Sequence, residues 1–179
     1  MEQLKIGLYI GAWPQNIGNA FFDLGARAIL AKAFPEAHFF PTGGAVHWMF
    51  TASALSNAGR VGRRLGELAG RDFTSPNSFE IGEAAEVDLL VFAGMSMCEE
   101  FVRNNGKTFY KAAERGIPVL GLGAGGSLYT KKEAEIFSQF LIALSRYAII
   151  TRDDDTFGMF ESRLDNIWSG IDAAFFLPD

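Results

Sequence analysis

The chain has 179 residues, 49% of them hydrophobic and 21% charged, a composition that excludes a disordered or fibrous protein and that can bury roughly 70% of its unfolded surface. A formal charge of -5 argues against general affinity for nucleic acid or an anionic membrane, so no nucleic-acid partner is expected. One Cys excludes an internal disulfide, and with two His it cannot form a four-ligand zinc site, so no metal and no cofactor are expected.

Taken in chain order, residues 5–10 (KIGLYI) form a short apolar run that predicts a first strand. No basic region followed by a long apolar stretch precedes it, which predicts no signal peptide and a cytoplasmic protein. Asn19 is the expected N-cap of a first helix, with Phe22, Ala26, Ile29, Leu30 and Ala33 on its inner face and Pro35 ending it. Residues 38–40 read as a second strand. Residues 37–59 carry no formal charge, yet His38, Pro41, His47, Ser53 and Asn57 fit a loop with a short helix rather than a membrane span. Residues 60–71 show helical charge spacing.

Residues 87–93 (VDLLVFA) form a continuous apolar strand, as expected where helices cover both faces of a sheet. Ser96 and Glu99 stand at capping-box spacing before a short helix ending at Asn105-Gly106, and a second helix spans 107–115, with Gly116 and Pro118 beyond it. A strand at 119–122 leads into GAGG. Thr130 and Glu133 form another capping box, for a helix with Ile136, Phe137, Phe140, Leu141 and Leu144 inside. A strand at 147–151, a helix at 153–161 and a short strand at 166–168 complete the pattern. This alternation predicts one α/β domain over residues 1–179, a Rossmann-like three-layer fold with a mainly parallel sheet.

Ligands of such sheets bind beyond the carboxyl ends of the strands, which directs attention to 11–19, 94–99, 123–127 and 152–155. Gly121, Gly123 and Gly126 satisfy G-x-G-x-x-G between a strand and a helix. No acidic residue follows at the distance a dinucleotide ribose needs, so tight packing is favoured over a dinucleotide site. Ser96 is favoured as a helix cap over a nucleophile, because no His follows it. Cys98 reads as a small apolar filler rather than a reactive thiol, and His47 as a packed or interface residue. Lys131 and Lys132 fit a solvated face. Arg152, ahead of Asp153, Asp154 and Asp155, leaves two readings: it neutralises acids in a first helical turn, or it aims a guanidinium at a carboxylate or phosphate.

Several segments in order resemble the polysaccharide pyruvyl transferase family. Asn16-x-Gly18-Asn19 resembles that family's N-x-G-D turn, and Asp88 to Gly94 its D-x-x-x-x-G-G segment. Gly116-Ile-Pro118-Val119 running to Gly123 is similar to its G-x-P-V strand. Arg152-Asp153 with Thr156 resembles R-D-x-x-S, and Asp172 to Leu177 resembles D-P-x-F-x-L. Asn19, Ala93, Thr156 and Ala173 depart from the pattern, and Asn19 removes a charge. The resemblance implies half of a GT-B-like fold, its partner half lying beyond these residues and the isolated half incompetent for transfer. It implies movement of a pyruvyl group from phosphoenolpyruvate to a hydroxyl of a sugar or glycan acceptor, as a ketal, in surface polysaccharide synthesis. It also implies Arg152 as an anion clamp, Asp153 as its orienter or a helix cap, Gly94 and Gly123 at strand ends, and Asn16, Gly18 and Asn19 near the acceptor. The alternatives are a dinucleotide-binding protein using 121–126 and a non-catalytic module that forms a homo-oligomer or docks a partner through 37–59.

Overall fold

A computed structural model describes residues 3–9, 18–42, 86–126 and 130–177. Six strands form one parallel sheet in the order β2-β1-β3-β4-β5-β6: β1 (Lys5–Tyr9), β2 (His38–Thr42), β3 (Leu89–Ala93), β4 (Val119–Ala124), β5 (Tyr147–Thr151) and β6 (Ile167–Trp168). Between them run α1 (Gly18–Ala33), α2 (Glu99–Glu114), α3 (Lys131–Leu144) and α4 (Asp154–Phe160), and a 3-10 turn (Ala173–Phe176) follows β6.

Alternation along each strand divides the interior into two cores. Ile6, Val91, Ala93 and Leu122 face Ala26 and Leu30 of α1 and Ala173 of the 3-10 turn. Tyr9, Leu90, Phe92, Val119 and Ile149 face the inner sides of α2, α3 and α4. Both faces are covered, which is why β3 is apolar throughout. The expected three-layer α/β fold is therefore present. No helix among the described residues is long and apolar enough to cross a membrane. Most of the 37–59 stretch, with His47, and all of 60–71 lie outside the described residues.

Local signals are obeyed where nothing distant competes. The Thr130 side chain accepts from Glu133 N–H (3.1 Å), and the Glu133 carboxylate accepts from Thr130 N–H (3.0 Å). These bonds hold the Glu133 carboxyl below its ordinary range, the backbone bond with Thr130 contributing most. A carboxyl whose folded pKa is depressed stabilises the fold above its unfolded pKa. That contribution is lost as pH falls through the folded value, on the acid side of the ordinary Glu range. Thr130→Ala is expected to lower the unfolding free energy by about 1 kcal/mol. Urea titrations at neutral pH and at pH about 3 check both statements, since the loss should shrink in acid.

The structure corrects several boundaries. Asn19 lies inside the first turn of α1 rather than at its cap, and Ala33 is exposed, while Gly25 joins the buried face. The two helices expected around Asn105-Gly106 are one. Tyr9 Oη donates to Asn105 Oδ1 (2.7 Å) and Asn105 Nδ2 donates to the Phe101 carbonyl (3.1 Å), so Asn105 is held from outside its helix. Gly106 is buried with the Phe140 ring nearby, and this packing outweighs the local break signal. α2 ends where expected: Gly116 N–H donates to Ala113 C=O (2.8 Å) and Ile117 N–H to Ala112 C=O (2.9 Å), a Schellman motif.

Candidate functional site

The order β2-β1-β3 reverses the chain at β1. The helix after β1 covers one face of the sheet and the helix after β3 the other, the arrangement in which open α/β sheets bind ligands at the carboxyl ends of their strands. A cleft of about 310 Å³ occurs at this end, lined by Asn19, Phe22, Phe92, Ala93, Gly94, Ser96, Phe101 and Arg152. Three rings and two small backbone positions make its apolar wall. Asn19, Ser96 and Arg152 bring the polar groups, and Arg152 is the charged residue among them.

Each lining residue has a local cause. Gly94 follows β3 with φ +62°, and a Cβ there would come within 2.9 Å of the Phe22 ring. Only glycine both takes that conformation and lets α1 approach. Ser96 does not cap α2. Cys98 stands at that cap with no side-chain bond, and Ser96 pairs with Gly125 in an isolated parallel bridge that extends the β3–β4 contact. Ser96 is thereby exposed at the cleft. Cys98 is partly buried and packs against the larger core, as a filler does.

Arg152 follows β5, and its N–H donates to the Ala124 carbonyl (2.8 Å), tying the turn to the end of β4. Its side chain crosses Gly125, where a Cβ would come within 2.5 Å of Nε and 2.7 Å of Cγ. Nε lies 3.9 Å from Asp153 Oδ2 and Nη1 3.7 Å from Asp172 Oδ2. The guanidinium carbon stands 5.4 Å from the centroid of the Phe22 ring. Both ion pairs exceed hydrogen-bonding distance, and no side chain or carbonyl among the described residues accepts a hydrogen bond from the guanidinium. Asp153 caps α4, its Oδ1 accepting from Thr156 N–H (2.6 Å).

The expected site residues therefore separate. Asn19, Gly94 and Arg152 meet at one cleft, and Asp153 stands behind Arg152. Gly18 opens α1, one residue before Asn19, and Asn16 lies outside the described residues. Gly123 is spent on packing: it lies inside β4 with φ +65°, and a Cβ would stand 3.1 Å from Ala173 N. Gly121 is also within β4, where a Cβ would meet Ile149 Cδ1 at 2.7 Å. The G-x-G-x-x-G spacing thus spans a strand and its packing, with two of its three glycines already against protein. Lys131 and Lys132 are exposed on α3. Among the described residues no group of His, Cys, Asp or Glu is arranged to hold a metal.

The sequence alone does not assign Phe22, Phe92 or Phe101 to the cleft, and it reads Ser96, within the 94–99 strand end, as a helix cap. Phe22 has the helical spacing of a core residue, and only the crevice beside α1 turns its ring into a cleft wall. In comparisons of sequence and of fold, no family model, no curated protein and no solved structure matches this chain.

Proposed function

We propose that this protein supplies one wall of a transfer site of the polysaccharide pyruvyl transferase type, binding phosphoenolpyruvate through Arg152 for passage of its pyruvyl group to a sugar hydroxyl. The observation that carries the reading is the Arg152 guanidinium, the charged group among the cleft-lining residues, whose N–H groups donate a hydrogen bond to no acceptor among the described residues. Phosphoenolpyruvate carries a carboxylate and a phosphate, the two anions that a planar guanidinium grips through paired N–H donors. Ser96, exposed at the cleft, offers a further polar contact. The resemblance of the Arg152-Asp153 and Asp172–Leu177 segments supports the same reaction. The reading includes a cytoplasmic protein acting on glycan precursors.

Calorimetric titration with phosphoenolpyruvate tests it. Arg152→Ala is expected to weaken binding at least tenfold, about 1.4 kcal/mol, and Arg152→Lys to recover only part, because an ammonium is a point charge. Folding should be nearly unaffected, since partly exposed ion pairs of this kind contribute less than about 1 kcal/mol. Equal affinity in the parent protein and Arg152→Ala, or saturable NAD binding at 121–126 instead, contradicts the reading.

A further inference from the structure

We infer that Asp172 is a positioning residue for Arg152, delivered to it by the C-terminal 3-10 turn; the inference rests on the reading of Arg152 as the anion contact. Asp172 does not line the cleft. It stands behind the guanidinium with its two oxygens divided between two tasks. Oδ1 accepts from Ala174 N–H (2.9 Å) and caps the 3-10 turn, while Oδ2 stands 3.7 Å from Arg152 Nη1. The carboxylate is placed by backbone packing rather than by a free tether. Ala173, the next residue, is fully buried, its carbonyl lying where a Cβ on Gly25 would be and its nitrogen beside Gly123.

Asp153 is fixed in the same manner, with Oδ1 bound to Thr156 N–H and Oδ2 3.9 Å from Nε. With Phe22 beside the guanidinium plane, Nε, Nη1 and the ring face each have a neighbour. No ion pair or hydrogen bond to a described residue uses Nη2, and the contacts at Nε and Nη1 are longer than hydrogen bonds, so the guanidinium keeps N–H donors for a ligand. Two carboxylates near a cation also repel an incoming anion. Their presence is explained if orienting the fork outweighs that repulsion, since a bidentate grip depends on the guanidinium plane being fixed before the anion arrives.

The test uses the full chain and the Asp172→Asn variant, whose amide oxygen can still cap Ala174. The 15N–1H resonance of Arg152 Nε reports the side chain directly, with phosphoenolpyruvate and inorganic phosphate as the titrated anions. Asp172→Asn should shift and broaden the Nε resonance and weaken both anions by about threefold to tenfold, and Asp172→Glu should recover part of the loss. An unchanged resonance in folded Asp172→Asn overturns the inference, and so does tighter anion binding, which would make Asp172 a competitor for Arg152. If neither anion binds the parent protein but the resonance still responds, the anion reading fails and the positioning role stands. Should Asp172→Asn not fold, Asp172→Ser, which keeps a capping oxygen, is measured in the same way.

Discussion

Phe109→Ala is expected to lower the unfolding free energy by about 3–5 kcal/mol. Phe109 is fully buried on the inner side of α2. Its ring lies 5.6 Å from Tyr9, 6.1 Å from Phe92, 5.6 Å from Phe101 and 6.0 Å from Phe140, centroid to centroid. Truncation removes the apolar burial and leaves a cavity that four rings from β1, β3, α2 and α3 cannot close without leaving their rotamers. Phe92 and Phe101 also line the cleft, so the same change should loosen the crevice wall and reduce phosphoenolpyruvate affinity. Chemical denaturation gives the stability loss, and calorimetry on the folded fraction gives the binding loss.

Gly25→Ala is expected to destabilise by about 2–3 kcal/mol, against the direction of helix propensity. In an exposed helix interior this substitution gains up to about 1 kcal/mol. Here the new Cβ would overlap the Ala173 carbonyl, backbone that cannot rotate aside as a side chain can. Either α1 lifts from the sheet, or the 3-10 turn moves and carries Asp172 away from Arg152. The denaturation midpoint should fall with little change in slope, and an Arg152 Nε resonance resembling that of Asp172→Asn would identify the second route. A gain in stability would show that the turn does not rest on α1 in this way.

The parts of the fold legible in the sequence are those decided within a few residues. The Thr130–Glu133 box, the Phe137–Leu144 face, the bounds of β5 and the Gly116 stop each depend on neighbours one or two turns apart. The misreadings share the opposite cause. Asn105-Gly106 carries a strong local break signal, but Tyr9 and Phe140, distant in sequence, hold that helix together. Ser96 has capping-box spacing, yet its pairing with Gly125 puts it at a strand end. At Gly121 and Gly123, by contrast, the expected tight packing is present, and the side chain and backbone that provide it come from Ile149 and Ala173.

The site was legible to the same extent. Arg152 at a strand's carboxyl end follows from the strand–helix alternation and the general placement of ligands in such sheets. The Phe22 wall and the Asp172 contact do not, because they depend on α1 and the 3-10 turn packing on the same face. A carboxylate 20 positions after its arginine has no periodicity that would pair them.

Phosphoenolpyruvate binding in the cleft beside the carboxyl end of β3, lined in part by Arg152, is the proposal on which the other binding expectations depend. Amide and guanidinium chemical-shift mapping during a phosphoenolpyruvate titration tests it most directly. Coupled, saturable shifts at Gly94, Ser96 and Arg152 Nε that disappear in Arg152→Ala are expected. Shifts concentrated elsewhere, for example at Lys131 and Lys132 on α3, or no shifts at Gly94, Ser96 and Arg152 at saturating ligand, would contradict it.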